Sequence, residues 1–510
     1  MNHLLILPIL VPAIVAPLLA LAVRDDIVLA RVFSVGSAVS LVILALCLIG
    51  LAADGTMQTY SLGNWAAPYG IVLVLDRLSA IMLGLTSILG LLVLLYAING
   101  CDRRSEHFHP LFQFQLMGLN GAFLTGDLFN LFVFFEVLLI ASYGLMVHGG
   151  GGPRMRAGVQ YVVINSVGSS IFLVALGLIY GVTGTLNMAD LAIKVPEVLP
   201  GDAALLYCGA ALLLVVFGIK SAIVPLQFWL PGTYSNTSGP VAALFAIMSK
   251  VGAYAIIRVF TLAFGESAGD RAWFAADWMM AAAVLTMLLG MIGVVAARSL
   301  GQQASFAALG SVGTMMIGVA GFTRLTESAA LYYMVHSTLA VAALFLLVDA
   351  IVVRRTGAGD ALVTSPRFEH IGLIAAMFFV AAIAVIGLPP LSGFVGKLLI
   401  LDAVGELSGW PWIWGLVLGA SLLAVIGFAS SGSQIFWKSG AIAGRLEPRS
   451  RRPVVLPMVA IGGTLASLVV LTVLSGPFTA YFDATADQLF EPQQYIEAVL
   501  GSDAGAQIDG

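Results

Sequence analysis

Apolar stretches of about 20 residues, the length an α-helix needs to cross hydrocarbon, recur along the whole chain and alternate with short polar segments. They lie near 3–23, 31–53, 76–98, 110–126, 127–147, 158–182, 204–229, 240–264, 274–296, 302–322, 327–353, 370–401, 412–437 and 454–476. This pattern predicts an all-α polytopic membrane protein with about fourteen transmembrane helices. The fourth and fifth runs meet at Gly126-Asp127, a tight turn where Asp127 is placed to cap the following helix.

Two of the runs are interrupted from within. In the stretch from Phe217 to Pro231, Pro225 has no N–H to give and its ring crowds the carbonyl of Ser221, so Lys220, Ser221 and Gln227 lie beside freed backbone. In hydrocarbon such backbone has to line a cavity or be buried in protein. A second interruption, Ile386-Gly387-Leu388-Pro389-Pro390-Leu391-Ser392-Gly393, stands just before Lys397. One broken span per half, each with a lysine, is the trace an internal repeat leaves in a transporter. The expected organisation is therefore three N-terminal helices over 1–109, two inverted repeats of five helices over 110–264 and 265–438, and a last helix with an acidic tail over 439–510. The halves do not match residue by residue, because Lys220 precedes its break and Lys397 follows its own.

Charge sorts the loops into two classes. One alternate set holds Arg24, Arg31, Arg103, Arg104, Arg154, Arg156, Arg298, Arg354, Arg355, Arg367, Lys438, Arg445, Arg449, Arg451 and Arg452, and the other only Lys194, Arg271 and Arg324. Cytoplasmic loops retain Lys and Arg, so this asymmetry predicts an inner-membrane protein with both termini on the outer side. The tail with Asp487, Glu491, Glu497 and Asp503 falls on that outer side.

Five basic residues belong to no loop. Arg77 stands beside Asp76 at a helix start and Arg258 near the outward end of its helix, so both read as interface residues. Lys220, Lys250 and Lys397 are flanked by apolar and small residues, and an ammonium at bilayer depth costs about 2.5–3.5 kcal/mol even on lenient scales. Glu136, in Phe132-Val133-Phe134-Phe135-Glu136-Val137, has no basic neighbour within a turn, and Lys220 is its expected partner from another helix. Tyr143 shares its face. His336 joins the set as the side chain whose ordinary titration suits proton exchange near neutral pH. The expected proton-transfer residues are thus Glu136, Lys220, Lys250, His336 and Lys397, supported by Tyr143, Ser221 and Gln227 and by the breaks at Pro225, Pro389 and Pro390.

Composition narrows the function classes. Of 510 residues, 60% are hydrophobic and 10% charged, far from the soluble average of about 25% charged. A net charge of −4 without a basic stripe offers nucleic acid no surface. Cys47, Cys101 and Cys208 are single and widely spaced, and no dinucleotide, Walker or HExxH motif is present, so neither a metal nor a cofactor is expected.

With these residues in view, the chain resembles the antiporter-like membrane subunits shared by Mrp-type cation/proton antiporters and respiratory complex I, on the side of the Mrp D-type subunits. The resemblance runs from Leu75-Asp76-Arg77-Leu78-Ser79 to the tail. It is carried by Asp127-Leu128-Phe129-Asn130-Leu131-Phe132, Lys250-Val251-Gly252-Ala253-Tyr254, Pro389-Pro390-Leu391-Ser392-Gly393-Phe394 and Glu491-Pro492-Gln493-Gln494-Tyr495-Ile496. It implies that Glu136 and Lys220 are the family's ion pair, Lys250 its central lysine, His336 its following histidine and Lys397 its terminal lysine.

Three departures stand out: Gly232-Thr233-Tyr234-Ser235 in place of an acidic motif usual in complex I, Ser337 and Val341 where a polar residue and a lysine often stand, and no Lys-Arg pair in Arg298-Ser299-Leu300-Gly301-Gln302-Gln303. The expected function is a bacterial, non-enzymatic, proton-translocating subunit of a multisubunit antiporter, with other membrane subunits, protons, a monovalent cation (sodium first) and the lipid bilayer as partners. The rivals are the same proton module in a complex I-like oxidoreductase or membrane-bound hydrogenase, and a non-transporting membrane scaffold.

Overall fold

The computed structural model describes residues 3–355, 357–441 and 455–501. The first part comprises α1 (Leu7–Leu21), α2 (Ile27–Ala52), a hairpin of β1 (Gln58–Ser61) and β2 (Val72–Leu75), α3 (Arg77–Ala97), α4 (Phe108–Leu124), α5 (Leu128–Met146), α6 (Gly152–Thr183) and α7 (Met188–Glu197). The centre holds α8 (Ala203–Ser221), α9 (Trp229–Asn236), α10 (Gly239–Phe245), α11 (Met248–Leu262), α12 (Ala276–Ala296), α13 (Leu300–Val319) and α14 (Arg324–Arg354). It ends with α15 (Ile371–Ile386), α16 (Ser392–Val404), α17 (Trp410–Gly432), α18 (Val455–Val473), α19 (Ser475–Leu489) and α20 (Pro492–Leu500). Of the expected loop charges, Arg445, Arg449, Arg451, Arg452 and Asp503 lie outside the described residues.

Ten helices among the described residues are long and apolar enough to cross a membrane, counting α10 and α11 as one. The expected runs beyond these have physical reasons to fall short. α1 and α15 are apolar but short. α4 and α13 pack inside the bundle and carry buried Gln113, Gln115, Asn120 and Gln303, which dilute their apolar character.

Helix starts follow local capping chemistry. Asp26, Asp127 and Ser299 accept backbone N–H bonds at the starts of α2, α5 and α13. Asp76 and Thr323 form reciprocal capping boxes with Ser79 and Thr326 at α3 and α14.

Contacts between connecting segments define two faces. On one, Arg31 Nε donates to Asp102 Oδ2 at 2.6 Å, His148 bonds the Cys101 carbonyl, Arg154 Nε donates to Asn236 O, and Leu362 N to Arg298 O. Burial alone would raise the Asp102 carboxyl, but the bonds from His109 and Arg31 and the Arg31 charge outweigh it and hold it down at about 2. On the opposite face, Arg77 donates to Ala53 O and Ala484 O, Arg271 to Val195, Pro196 and Val198 carbonyls, and Arg324 pairs with Asp487. This second face carries the β-hairpin, α7, α19 and α20; the expected acidic tail is two docked helices up to Leu500.

Arg258 differs from its interface reading, whereas Arg77 stays at the tail-bearing face but does not pair with Asp76. Arg258 is 3% exposed and forms a bidentate pair with Asp76, at 2.6 Å and 2.8 Å, flanked by the Tyr254 and Tyr495 rings. Asp76 therefore serves a partner from α11 and leaves its sequence neighbour Arg77 to backbone carbonyls. Because α11 also carries Lys250, this pair anchors that helix at the tail-bearing face. Asp76→Ala strands a buried guanidinium, at a cost of about 3–5 kcal/mol. The detergent-purified variant should melt well below the wild type, and Asp76→Ala/Arg258→Met should recover most of the loss. An unchanged midpoint in the single variant would contradict the anchor.

Candidate functional site

The two proline breaks are built on one backbone motif. At the end of α8, Ile223 N bonds Gly218 O and Ala222 N bonds Ile219 O; at the end of α15, Leu388 N bonds Ile383 O and Gly387 N bonds Ala384 O. Each is a Schellman cap, with Ala222 and Gly387 left-handed at φ 58 and φ 80. A proline follows three residues later in both, Pro225 and Pro390. Pro225, Pro389 and Pro390 are exposed on the surface of the chain.

A third break was not expected. α10 and α11 are separated by a turn at Ala246-Ile247, with neither proline nor glycine at those positions. Each interruption frees helix carbonyls that something else must satisfy. Trp229 Nε1 donates to Ile219 O at 3.0 Å, Tyr234 OH to Phe245 O at 2.6 Å, and Lys397 Nζ to Ile386 O at 2.7 Å. Val224 N, inside the first break, donates to Thr286 Oγ1 of α12.

All three lysines stand at these breaks and are buried: Lys220 at 7% exposure, Lys250 at 1% and Lys397 at 6%. Lys220 occupies the last turn of α8. Lys397 lies past its break but reaches back to the C-terminal carbonyl of α15 and to Ser421 Oγ at 2.8 Å. The opposite sequence order of lysine and proline in the two halves thus brings each ammonium to the C-terminal end of a half-helix, where the helix dipole favours a cation. Lys250 stands in the first turn of α11, just after the third break.

Glu136 and Lys220 do not meet as a direct ion pair. Glu136 accepts from Ser169 Oγ, and Lys220 Nζ donates to Asn165 Oδ1 at 3.2 Å. Asn165 and Ser169 are one turn apart on α6 and share a face, so α6 supplies the polar groups that the sequence reading assigned to a charge pair. Tyr143 packs edge-on against Tyr161, whose hydroxyl lies 2.9 Å from Ser142 Oγ. Ser221 Oγ and Gln227 Oε1 are buried with no protein partner among the described residues.

The second cluster joins His336 to the α15–α16 break. His336, 1% exposed, shares a 2.9 Å hydrogen bond between Nδ1 and Ser392 Oγ, and its ring neighbours Tyr333. Glycines make the close approaches possible. A methyl group at Gly393 would collide with Ala384 O and the His336 ring, and one at Gly252 would collide with Ser221 Oγ and the backbone beside it. Gly252 thus seats the Lys250 helix directly on the first break.

Asn165, Ser169, Ser392 and Ser421 were missed by sequence reasoning. Small polar residues are ordinary in apolar helices, and the one available signal was Asn165, a full amide in the middle of a long apolar run.

Residues 125–425, which contain the breaks, the lysines, Glu136 and His336, match the profile described as NADH:quinone oxidoreductase/Mrp antiporter, TM. The chain belongs to the NADH:quinone oxidoreductase/Mrp antiporter family. Two relatives are similar over nearly the full length. A protein of Rhizobium meliloti (strain 1021), named as a probable K(+)/H(+) antiporter subunit of type D, is 39% identical, covering 99% of each chain. The D-type Na(+)/H(+) antiporter subunit of Bacillus subtilis (strain 168) is 38% identical, covering 98% of this chain and all of that one. A chain in the solved Mrp complex from a Dietzia species superposes with a TM-score of 0.85 at 28% identity, covering 98% of this chain and 100% of that one. Family membership and this likeness extend beyond the profile to the hairpin and the C-terminal helices.

Proposed function

We propose that this chain is the D-type subunit of a multisubunit monovalent cation/proton antiporter, and that it conducts protons through Glu136, Lys220, Lys250, His336 and Lys397. The observation that carries the reading is the coincidence of three buried lysines with three helix interruptions. A scaffold has no use for ammoniums in hydrocarbon, whereas a proton carrier needs titratable groups beside freed backbone that can be hydrated. The relatives named as Na(+)/H(+) and K(+)/H(+) antiporter subunits support the reaction class.

In this scheme protonation of Glu136 weakens its electrostatic hold on Lys220 across Asn165 and Ser169, and Lys220 releases a proton toward Lys250. The Ser221–Gly252 contact brings those two segments together. From Lys250 the proton passes to His336 and Lys397, which share the second break. Glu136 is the one carboxylate among these five residues, too few oxygen ligands to replace the water around a sodium ion, and this scheme assigns the cation to a partner subunit. The Lys and Arg asymmetry supports an orientation with the tail-bearing face outward, and the bacterial relatives support a bacterial inner membrane.

The test is exchange by the whole complex. Inside-out vesicles containing this chain with its co-purifying subunits should dissipate a preformed pH gradient when Na⁺ or K⁺ is added, with one cation preferred. A gradient indifferent to both would overturn the reading.

A further inference from the structure

Glu327 lies outside the relay just described, in the first turns of α14, and its environment is hard to reconcile with a structural carboxylate. The residue is 0% exposed, and neither carboxyl oxygen has a protein hydrogen-bond partner among the described residues. Its neighbours behave in the ordinary way. Arg324 is half-exposed and pairs with Asp487 at 2.9 Å and Glu491 at 3.6 Å, while Ser328 Oγ donates to Asp483 Oδ1 at 2.5 Å. A first-turn glutamate can stabilise a helix through the dipole, but that effect is about 0.3–1 kcal/mol, and up to about 2 in favourable geometry. An uncompensated buried ion costs several kcal/mol. A proton is the partner that removes this cost.

The surroundings supply both ends of a proton path. Ser328, the next residue, lines a cavity of about 490 Å³ together with Thr479, Asp402, Glu406 and Asp483. Asp402 stands five residues beyond Lys397 on α16, and His336 stands nine beyond Glu327 on α14, about 13 Å along the axis. These two helices therefore run side by side from the His336–Lys397 cluster to the acidic cavity. Between the two levels on α14 lies Tyr333, whose buried hydroxyl has Ser311 and Thr314 beside it and makes no close hydrogen bond among the described residues.

We propose that Glu327 is a proton-binding site that connects the His336–Lys397 cluster with the cavity beside Asp483. Its carboxyl O–H breaks as a new O–H forms on a water of the cavity, which carries the proton away and leaves the Glu327 carboxylate. An N–H of the His336 imidazolium or the Lys397 ammonium then breaks, and the Glu327 O–H re-forms, by way of the Tyr333 hydroxyl and water. Charge and protons balance over the cycle.

The proposal rests on the antiporter reading, and the experiment separates the two. In vesicles of the assembled complex, Glu327→Gln, which keeps shape and removes the titratable group, should lower cation-driven proton exchange more than about tenfold, while Glu327→Asp retains part of it. Infrared spectra of the wild-type complex should show a protonated-carboxyl band that Glu327→Asp shifts and Glu327→Gln removes. Wild-type exchange in Glu327→Gln, or a carboxyl spectrum unaltered by the Asp variant, overturns the Glu327 site and leaves the antiporter reading standing. Absence of exchange in the wild type overturns both.

Discussion

Complexes carrying Glu136→Ala or Lys220→Ala lose cation-driven proton exchange to background, a fall of about 10²–10⁴-fold if each residue is an obligatory proton carrier, while assembling normally. Neither substitution removes a direct ion pair, because Ser169 holds Glu136 and Asn165 holds Lys220. Each leaves an α6 hydroxyl or amide that can turn to water, so folding should survive what transport does not. Asn165→Ala sharpens the test. It removes the protein hydrogen bond to the Lys220 ammonium but leaves both titratable groups, and exchange should fall only partly, with a shifted pH profile. Vesicles in which Glu136→Ala or Lys220→Ala exchange at wild-type rates would sink the first half of the relay.

The second large effect is expected at Lys397. Lys397→Arg keeps the charge but cannot release a proton at any working pH, and its planar fork does not reproduce an ammonium held at once by Ile386 O and Ser421 Oγ. A carrier role predicts that Arg fails nearly as badly as Ala and that Lys397→Glu retains some exchange, since a carboxylate still titrates. A purely structural cation predicts the reverse order, with Arg tolerated and Glu damaging, because Glu would place a negative charge against the C-terminal carbonyls of α15. Exchange measured at matched assembly levels in the three variants decides between them. Wild-type rates in Lys397→Arg would remove Lys397 from the proton path.

The two Schellman caps are alike in backbone although their sequences differ. Ala222-Ile223-Val224-Pro225-Leu226 and Gly387-Leu388-Pro389-Pro390-Leu391 share backbone bonding and the spacing from left-handed residue to proline, although only proline and leucine recur. The common feature is a backbone geometry, which several sequences can satisfy. The lysines are free to sit on either side of it because a four-carbon stem can reach back across the turn.

The membrane class, most helix positions, the alternation of basic and poor loops, both proline breaks and the candidate titratable residues were legible in the chain itself. Each is a local quantity: an apolar run has a length, a proline lacks a donor wherever it stands, and a lone charge in hydrocarbon is costly before any partner is known. What only the tertiary structure decided was who meets whom. Asp76 takes Arg258, 182 residues away, and leaves the adjacent Arg77 to backbone carbonyls. Lys220 takes an amide from α6, and Lys397 takes a carbonyl from the helix before its own. The break at Ala246-Ile247 has no proline or glycine to announce it, and its freed carbonyl is met by Tyr234. Glu327, four residues past the Thr323 cap and close to Arg324, reads as an ordinary first-turn acid until packing buries it. Sequence records the cost of placing a polar group in an apolar run, whereas the group that offsets it comes from wherever the chain closes, and that is a property of packing.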